Sequence, residues 1–237
     1  MTITFRDQEH KSRVDYNFRN LKKYIEMTEG FLFDLEKIRS KPVSVTVNGK
    51  THEGFKHEYV NVIEMNVYPS TYRSSLLITI CSTLESNLLE ICKDIQQERN
   101  LQQYLDTRNG MLVAVNKYFV DTAGLNFPGL DPVWSKMRKI NYIRNCIVHN
   151  SGKIWDEATT PGKYRSLMNA CTSFNGITHN KLDVINELIK ESHTDEGLVI
   201  VSPSIKFTPE YVFCKKSFCS EVIEIYEDFF DKLFKCN

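Results

Sequence analysis

The segment from 71 to 97 constrains the fold more than any other. It carries two neighbouring apolar stripes. One is Leu77, Ile80, Leu84, Leu88, Ile91 and Ile95; the other is Ile78, Cys81, Glu85, Leu89 and Cys92. Residues three and four apart share one side of an α-helix. Two adjacent stripes make a helix apolar over a wide arc, and such a helix must be surrounded to bury it. Pro69-Ser70 opens the segment. The expectation is a mainly α helical bundle with this helix at its centre. A chain of 237 residues is long enough to supply the rest of that core.

Flanking segments fit a bundle. Val14, Phe18, Leu21, Ile25, Leu32 and Leu35 predict an amphipathic helix over 11–39, ended by Pro42. Val43, Val45 and Val47 then alternate with polar residues ahead of Asn48-Gly49, a short hairpin signal. The stretch 57–68 reads equally as strand or helix. Shorter helices are expected near 99–106 and 109–122, with a loop from Gly124 to Pro128. Asp131-Pro132 suits a helix start, Asp as N-cap and Pro in the first turn, and that helix runs to about His149. Asn150-Ser151-Gly152 suits its exit. Helices near 163–173 and 180–192 follow, then short strands at Leu198–Val201 and Ile205–Phe207. The last helix, 216–235, presents Phe218, Val222, Ile225, Tyr226, Phe229 and Leu233 on one face. No repeat or linker divides the chain, so it reads as one domain with β-hairpin embellishments.

Composition narrows the function classes. Thirty basic residues balance thirty acidic ones, which argues against a wholly basic nucleic-acid coat but not against a local basic patch. Seven cysteines without a C-x-x-C pair imply free thiols in a reducing cytoplasm, with no disulfide framework or zinc cluster. The first residues lack the apolar core of a signal peptide, and no apolar run reaches spanning length, so no membrane role is expected. P-loop, Rossmann, zincin and nucleophile-elbow signatures are all absent. His10, His52, His57, His179 and His193 share no metal-ligand spacing and read as surface or loop residues. Trp134 and Trp155 read as packing anchors.

The informative segment is Ile143-Arg144-Asn145-Cys146-Ile147-Val148-His149-Asn150. Val133, Met137, Ile140 and Ile147 form a stripe that includes Arg144, so this guanidinium points toward the interior or an interface. Arg is seldom buried without a partner. Glu85 interrupts an apolar stripe on the central helix and needs a cation or several donors. A Glu85–Arg144 contact, direct or through water, is therefore expected. Asn145 and His149, four apart, share a second face. Between 131 and 155, Lys136, Arg138, Lys139, Arg144 and Lys153 face only Asp131 in charge. That patch suits phosphate or an ordinary solvated helix face. Asn150 and Lys153 follow the motif, where a helix exit or the edge of a cleft accounts for them.

At these residues the sequence resembles the HEPN domains, an all-helical family that includes many RNA endonucleases. Their motif is Arg, then four to six residues, then His, often with a polar residue directly after the Arg. Arg144-Asn145-x3-His149 matches its four-residue form. The resemblance extends to Thr83-Leu84-Glu85-Ser86-Asn87-Leu88-Leu89, to Asn116-Lys117-Tyr118-Phe119, Gly124-Leu125 and Trp134, and to Ile205-Lys206-Phe207-Thr208-Pro209-Glu210-Tyr211 ahead of a helix. It covers roughly 72–152 and the C-terminus. Residues 1–70 read as an N-terminal extension and about 153–195 as an insertion.

The resemblance implies a HEPN-like bundle and metal-independent RNA cleavage, with no cofactor. A ribose 2′-OH attacks the adjacent phosphorus, leaving a 2′,3′-cyclic phosphate and a 5′-OH. Arg144 would hold non-bridging oxygens. His149 would act as general base or acid, since imidazoles titrate near neutral pH. Asn145 would orient His149 or a phosphate. One His per chain serves two proton transfers poorly, and a homodimer with abutting motif helices would supply two. The role implied is a toxin or antiviral-defence effector in the cytoplasm. RNA is the substrate, with transfer RNA one candidate class, and an antitoxin or other regulatory partner is a family-level expectation. Two other readings stand beside it: a non-catalytic HEPN-like module binding RNA, a nucleotide or a protein, and a purely structural helical subunit.

Overall fold

The computed structural model describes residues 5–39, 42–47, 50–55, 68–124, 131–155, 157–181 and 210–235. In chain order the elements are α1 (Phe5–Arg39), β1 (Pro42–Val47), β2 (Lys50–Phe55) and α2 (Tyr68–Glu98). A single 3-10 turn (Thr107–Asn109) precedes α3 (Met111–Lys117), which runs on into a π-turn at Tyr118–Thr122. Then come α4 (Asp131–Asn150), α5 (Pro161–Cys171), β3 (Ile177–Lys181), β4 (Glu210–Cys214) and α6 (Lys216–Lys235). The described chain is mainly helical.

The doubly apolar segment forms α2 and takes the centre. It packs against α1, α3, α4, α6 and β4. Leu77, Ile80 and Leu88 are fully buried, with Leu84 nearly so. The second stripe is less enclosed, since Ile78, Glu85 and Leu89 are half-buried. By length and composition Pro69–Glu98 is apolar enough to cross a membrane. In this fold its apolar residues instead line the interior of the bundle.

The first helix is part of that core rather than an appendage. Val14, Phe18, Leu21 and Ile25 of α1 join the same buried cluster as α2, α4 and α6. The Phe18 and Phe230 rings lie 5.8 Å apart. Polar staples fix α1 along α2. Arg73 donates Nε and Nη2 to the two Glu29 oxygens at 2.7 and 2.8 Å. Arg13 pairs with Glu90 at 2.5 Å and donates to His10 Nδ1 at 2.8 Å. A guanidinium has no acceptor, so His10 Nδ1 accepts and Nε2 carries the proton toward Asp94 Oδ2, 2.6 Å away. His10 is therefore buried, contrary to the surface position expected of it. It lies one turn before Val14, on the face of α1 that meets α2.

The segment 157–181 is also structural. Helix α5 packs across α4, and Leu167, Ala170 and Cys171 are buried there. The last helix follows its pattern, burying Phe218, Val222, Ile225, Tyr226, Phe229 and Leu233.

The first hairpin pairs as expected, with Val47 opposite Lys50 so that only Asn48-Gly49 lies between the strands. The second sheet was not anticipated. β3 pairs antiparallel with β4, Ile177 opposite Cys214 and Lys181 opposite Glu210. The helix expected from 180 is thereby corrected at its start, because Asn180 and Lys181 belong to β3. The rest of that helix, the strands at 198–201 and 205–207, and the stretch 57–67 lie outside the described residues. The helix expected at 99–106 is absent. Asn100 takes a positive φ of 51° just after α2, and Asp106 caps the 3-10 turn by accepting from Arg108 N at 3.2 Å. Asn tolerates that left-handed conformation better than most residues, so the helix stops there.

Candidate functional site on the fourth helix

Helix α4 presents the motif. Its buried side is Val133, Met137, Ile140, Ile143 and Cys146. Trp134 anchors it to α6, with its ring 5.4 Å from Phe229. The opposite side carries His149, which is exposed, and Asn145, which is half-buried. Neither ring nitrogen of His149 has a hydrogen-bond partner among the described residues.

The exit of the helix is held in place. Ser151 and Gly152 take positive φ of 51° and 77°. Gly152 N then reaches Cys146 O at 3.1 Å, and Lys153 N reaches Asn150 O at 2.9 Å. Asn150 Nδ2 donates to the Lys153 carbonyl. The turned chain is pinned to β4, where Val212 N donates to Gly152 O at 2.9 Å and Lys153 bridges to Tyr211. Asn150 therefore closes the helix exit beside His149. The Lys153 backbone does the same, while its side chain is exposed.

Arg144 is half-buried and donates through Nη1 to Asn145 Oδ1 at 2.9 Å. This bond fixes the amide, because the guanidinium can only donate. The Asn145 NH2 is thus left as the group free to meet a ligand. Arg144 Nε is buried and has no hydrogen-bond partner.

The direct form of the expected Glu85–Arg144 contact is not made. No bridge joins them within 4 Å among the described residues, although both lie near one buried pair. Cys81 Sγ and Tyr226 Oη are 3.4 Å apart. Burial pushes the Cys81 thiol up to about 12; the Tyr226 bond and the Arg144 charge pull it down, and Glu85 raises it. Burial also raises the Tyr226 hydroxyl, assisted by Cys81 and Glu85 and opposed by Arg144. Both charges act on this pair, with opposite sign. Both residues are half-buried.

The basic residues separate by location. Lys139 donates to Ser173 at 2.9 Å. Lys136 lies near Glu221, whose carboxyl is raised by burial and lowered by that lysine. Arg138 is exposed and has no partner among the described residues. Among those residues no three His, Cys, Asp or Glu side chains gather as a metal-binding set.

No family profile, curated protein or solved structure matches this chain.

The site offers a free imidazole, an oriented amide donor and a partly buried cation on one helix. That set can bind an anion and move a proton beside it. The Cys81–Tyr226 pair beneath Arg144 escaped the sequence reading. Its two members lie 145 positions apart, and Tyr226 looks like any other member of its aromatic stripe.

Proposed function

We propose that the protein is a metal-independent endoribonuclease whose site is the exposed side of α4, completed by the same helix of a second copy. The observation that carries this reading is the oriented Asn145 amide beside the unengaged His149 ring. Arg144 and the Asn145 NH2 would hold non-bridging phosphate oxygens. A neutral His149 would take the 2′-OH proton as that oxygen attacks phosphorus. The P–O5′ bond breaks, and a protonated His149 from the partner copy would give its proton to the leaving oxygen. The products would be a 2′,3′-cyclic phosphate and a 5′-OH. Two histidines serve the two transfers, which is the chemical case for a two-fold dimer.

The HEPN-like character, a cytoplasmic location and a role as toxin or antiviral-defence effector belong to this proposal as well. They rest on the Arg144-Asn145-x3-His149 resemblance. Transfer RNA is one candidate substrate, and an antitoxin or other regulatory partner one candidate control. Glu85 takes no part in substrate contact in this reading.

The test is RNA cleavage in EDTA by wild type, Arg144→Ala and His149→Ala, with product ends mapped and mass in solution measured. Cyclic-phosphate ends from a dimeric wild type, abolished by both substitutions in folded protein, are expected. Cleavage that survives His149→Ala would refute the mechanism. A folded dimer that binds RNA without cutting it would favour the non-catalytic module.

A further inference from the structure

We infer that the exposed side of α4 is a track for single-stranded RNA flanking the cleaved bond, with Tyr142 as a base-stacking platform and Arg138 as a phosphate contact. The inference rests on the nuclease reading and names how the same site would grip its substrate. Arg138, Tyr142, Asn145 and His149 occupy i, i+4, i+7 and i+11 of one helix, so they form a single line along it. With about 1.5 Å of rise per residue, Tyr142 lies about 10 Å and Arg138 about 16 Å from His149 along the axis. A strand whose scissile phosphate meets His149 would pass both.

Three observations single out these two residues. Tyr142 is 38% exposed on a helix whose other aromatic, Trp134, is packed on Phe229. Arg138 is exposed and has no hydrogen-bond or ion-pair partner among the described residues, whereas its neighbour Lys139 is bonded to Ser173. The line is also mostly polar, one aromatic among Arg, Asn and His. Bases and phosphates ask for such an aromatic face with isolated donors beside it. A tyrosine ring stacks on any base, so the track would add affinity without reading sequence.

The experiment measures binding of a fluorescein-labelled uridine oligonucleotide by anisotropy, in EDTA and on the His149→Ala background. Tyr142→Ala should weaken binding by about 5- to 150-fold, the range that loss of one stacked base spans, and Tyr142→Phe should restore it. Arg138→Ala should weaken binding and lower the salt slope by about one, with Arg138→Lys recovering most of the loss. Unchanged affinity in both alanine variants would overturn the track. So would a loss in Tyr142→Ala that accompanies dissociation of the dimer, which would place Tyr142 in the subunit interface. Cleavage by a wild type whose binding ignores both residues would leave the nuclease standing and the track refuted. Binding that needs both residues in a protein that never cuts would do the reverse.

Discussion

Replacing Arg144 by Met separates a functional arginine from a structural one. In the folded protein Arg144 makes one side-chain hydrogen bond, to Asn145, and leaves its Nε buried and unpaired. A hydrogen bond to a charged group contributes about 1.5–3 kcal/mol, and an unsatisfied buried donor costs about 1–3 kcal/mol. Met removes both and keeps most of the aliphatic packing. The two changes nearly cancel. Those ranges leave at most about 2 kcal/mol, so at about 2–4 °C per kcal/mol for a chain this size the melting temperature should move by no more than about 8 °C. A buried Arg–Glu bridge would behave otherwise, because losing one partner costs about 3–5 kcal/mol, a fall of roughly 6–20 °C. The assay is thermal unfolding by circular dichroism beside RNA cleavage by the same preparation. The expected result is a near-native melt with cleavage abolished. A fall of ten degrees or more, or full activity, would refute the reasoning.

Further expectations concern the fold that carries the site. Gly176→Ala should destabilise by about 1–3 kcal/mol in urea titration, as overpacking does; the added methyl would lie 2.6 Å from the Cα and Cβ of Phe218, at the start of α6. Arg73→Ala should cost about 3 kcal/mol or more, because Glu29 would stay buried without its bidentate partner. The double variant Arg73→Met/Glu29→Leu should recover most of that loss. Burial raises the thiols of Cys81, Cys92, Cys146 and Cys214 to about 12 and that of Cys171 to about 11, from 9.0. The folded state therefore keeps protons that the unfolded chain releases. The stabilisation is complete below about pH 9 and declines toward about pH 12, by roughly 1.4 kcal/mol per thiol per pH unit. Urea midpoints equal at about pH 8 and about pH 10 would contradict that.

Much of the site was legible because it lies within one helix. Asn145 and His149 are four residues apart, and helical periodicity alone puts them on one side. The same periodicity places Arg138 and Tyr142 on that side, a spacing present in the sequence but hidden among other charges. The need of Glu85 and Arg144 for partners says nothing of where they lie. Half-burial lowers the cost that a direct bridge would relieve, and no direct bridge forms among the described residues. His10 went wrong for a related reason. A lone histidine at the start of a helix carries no sign of Asp94, which closes on it only when α1 lies along α2.

The sequence by itself determined the helical class, the central place of α2, the faces that α4 and α6 bury, and the hairpin at Asn48-Gly49. Those features follow from patterns that repeat every two to four residues, and each short segment carries its own instructions. Only the tertiary structure decided that α1 is core, that β3 pairs with β4, and that β4 holds the exit of the motif helix. It also decided which lysines are engaged and which way the Asn145 amide points. These depend on groups far apart in the chain, such as Gly152 with Val212 and Lys139 with Ser173. No local pattern encodes such contacts, because the free energy that selects them appears only when the segments pack together.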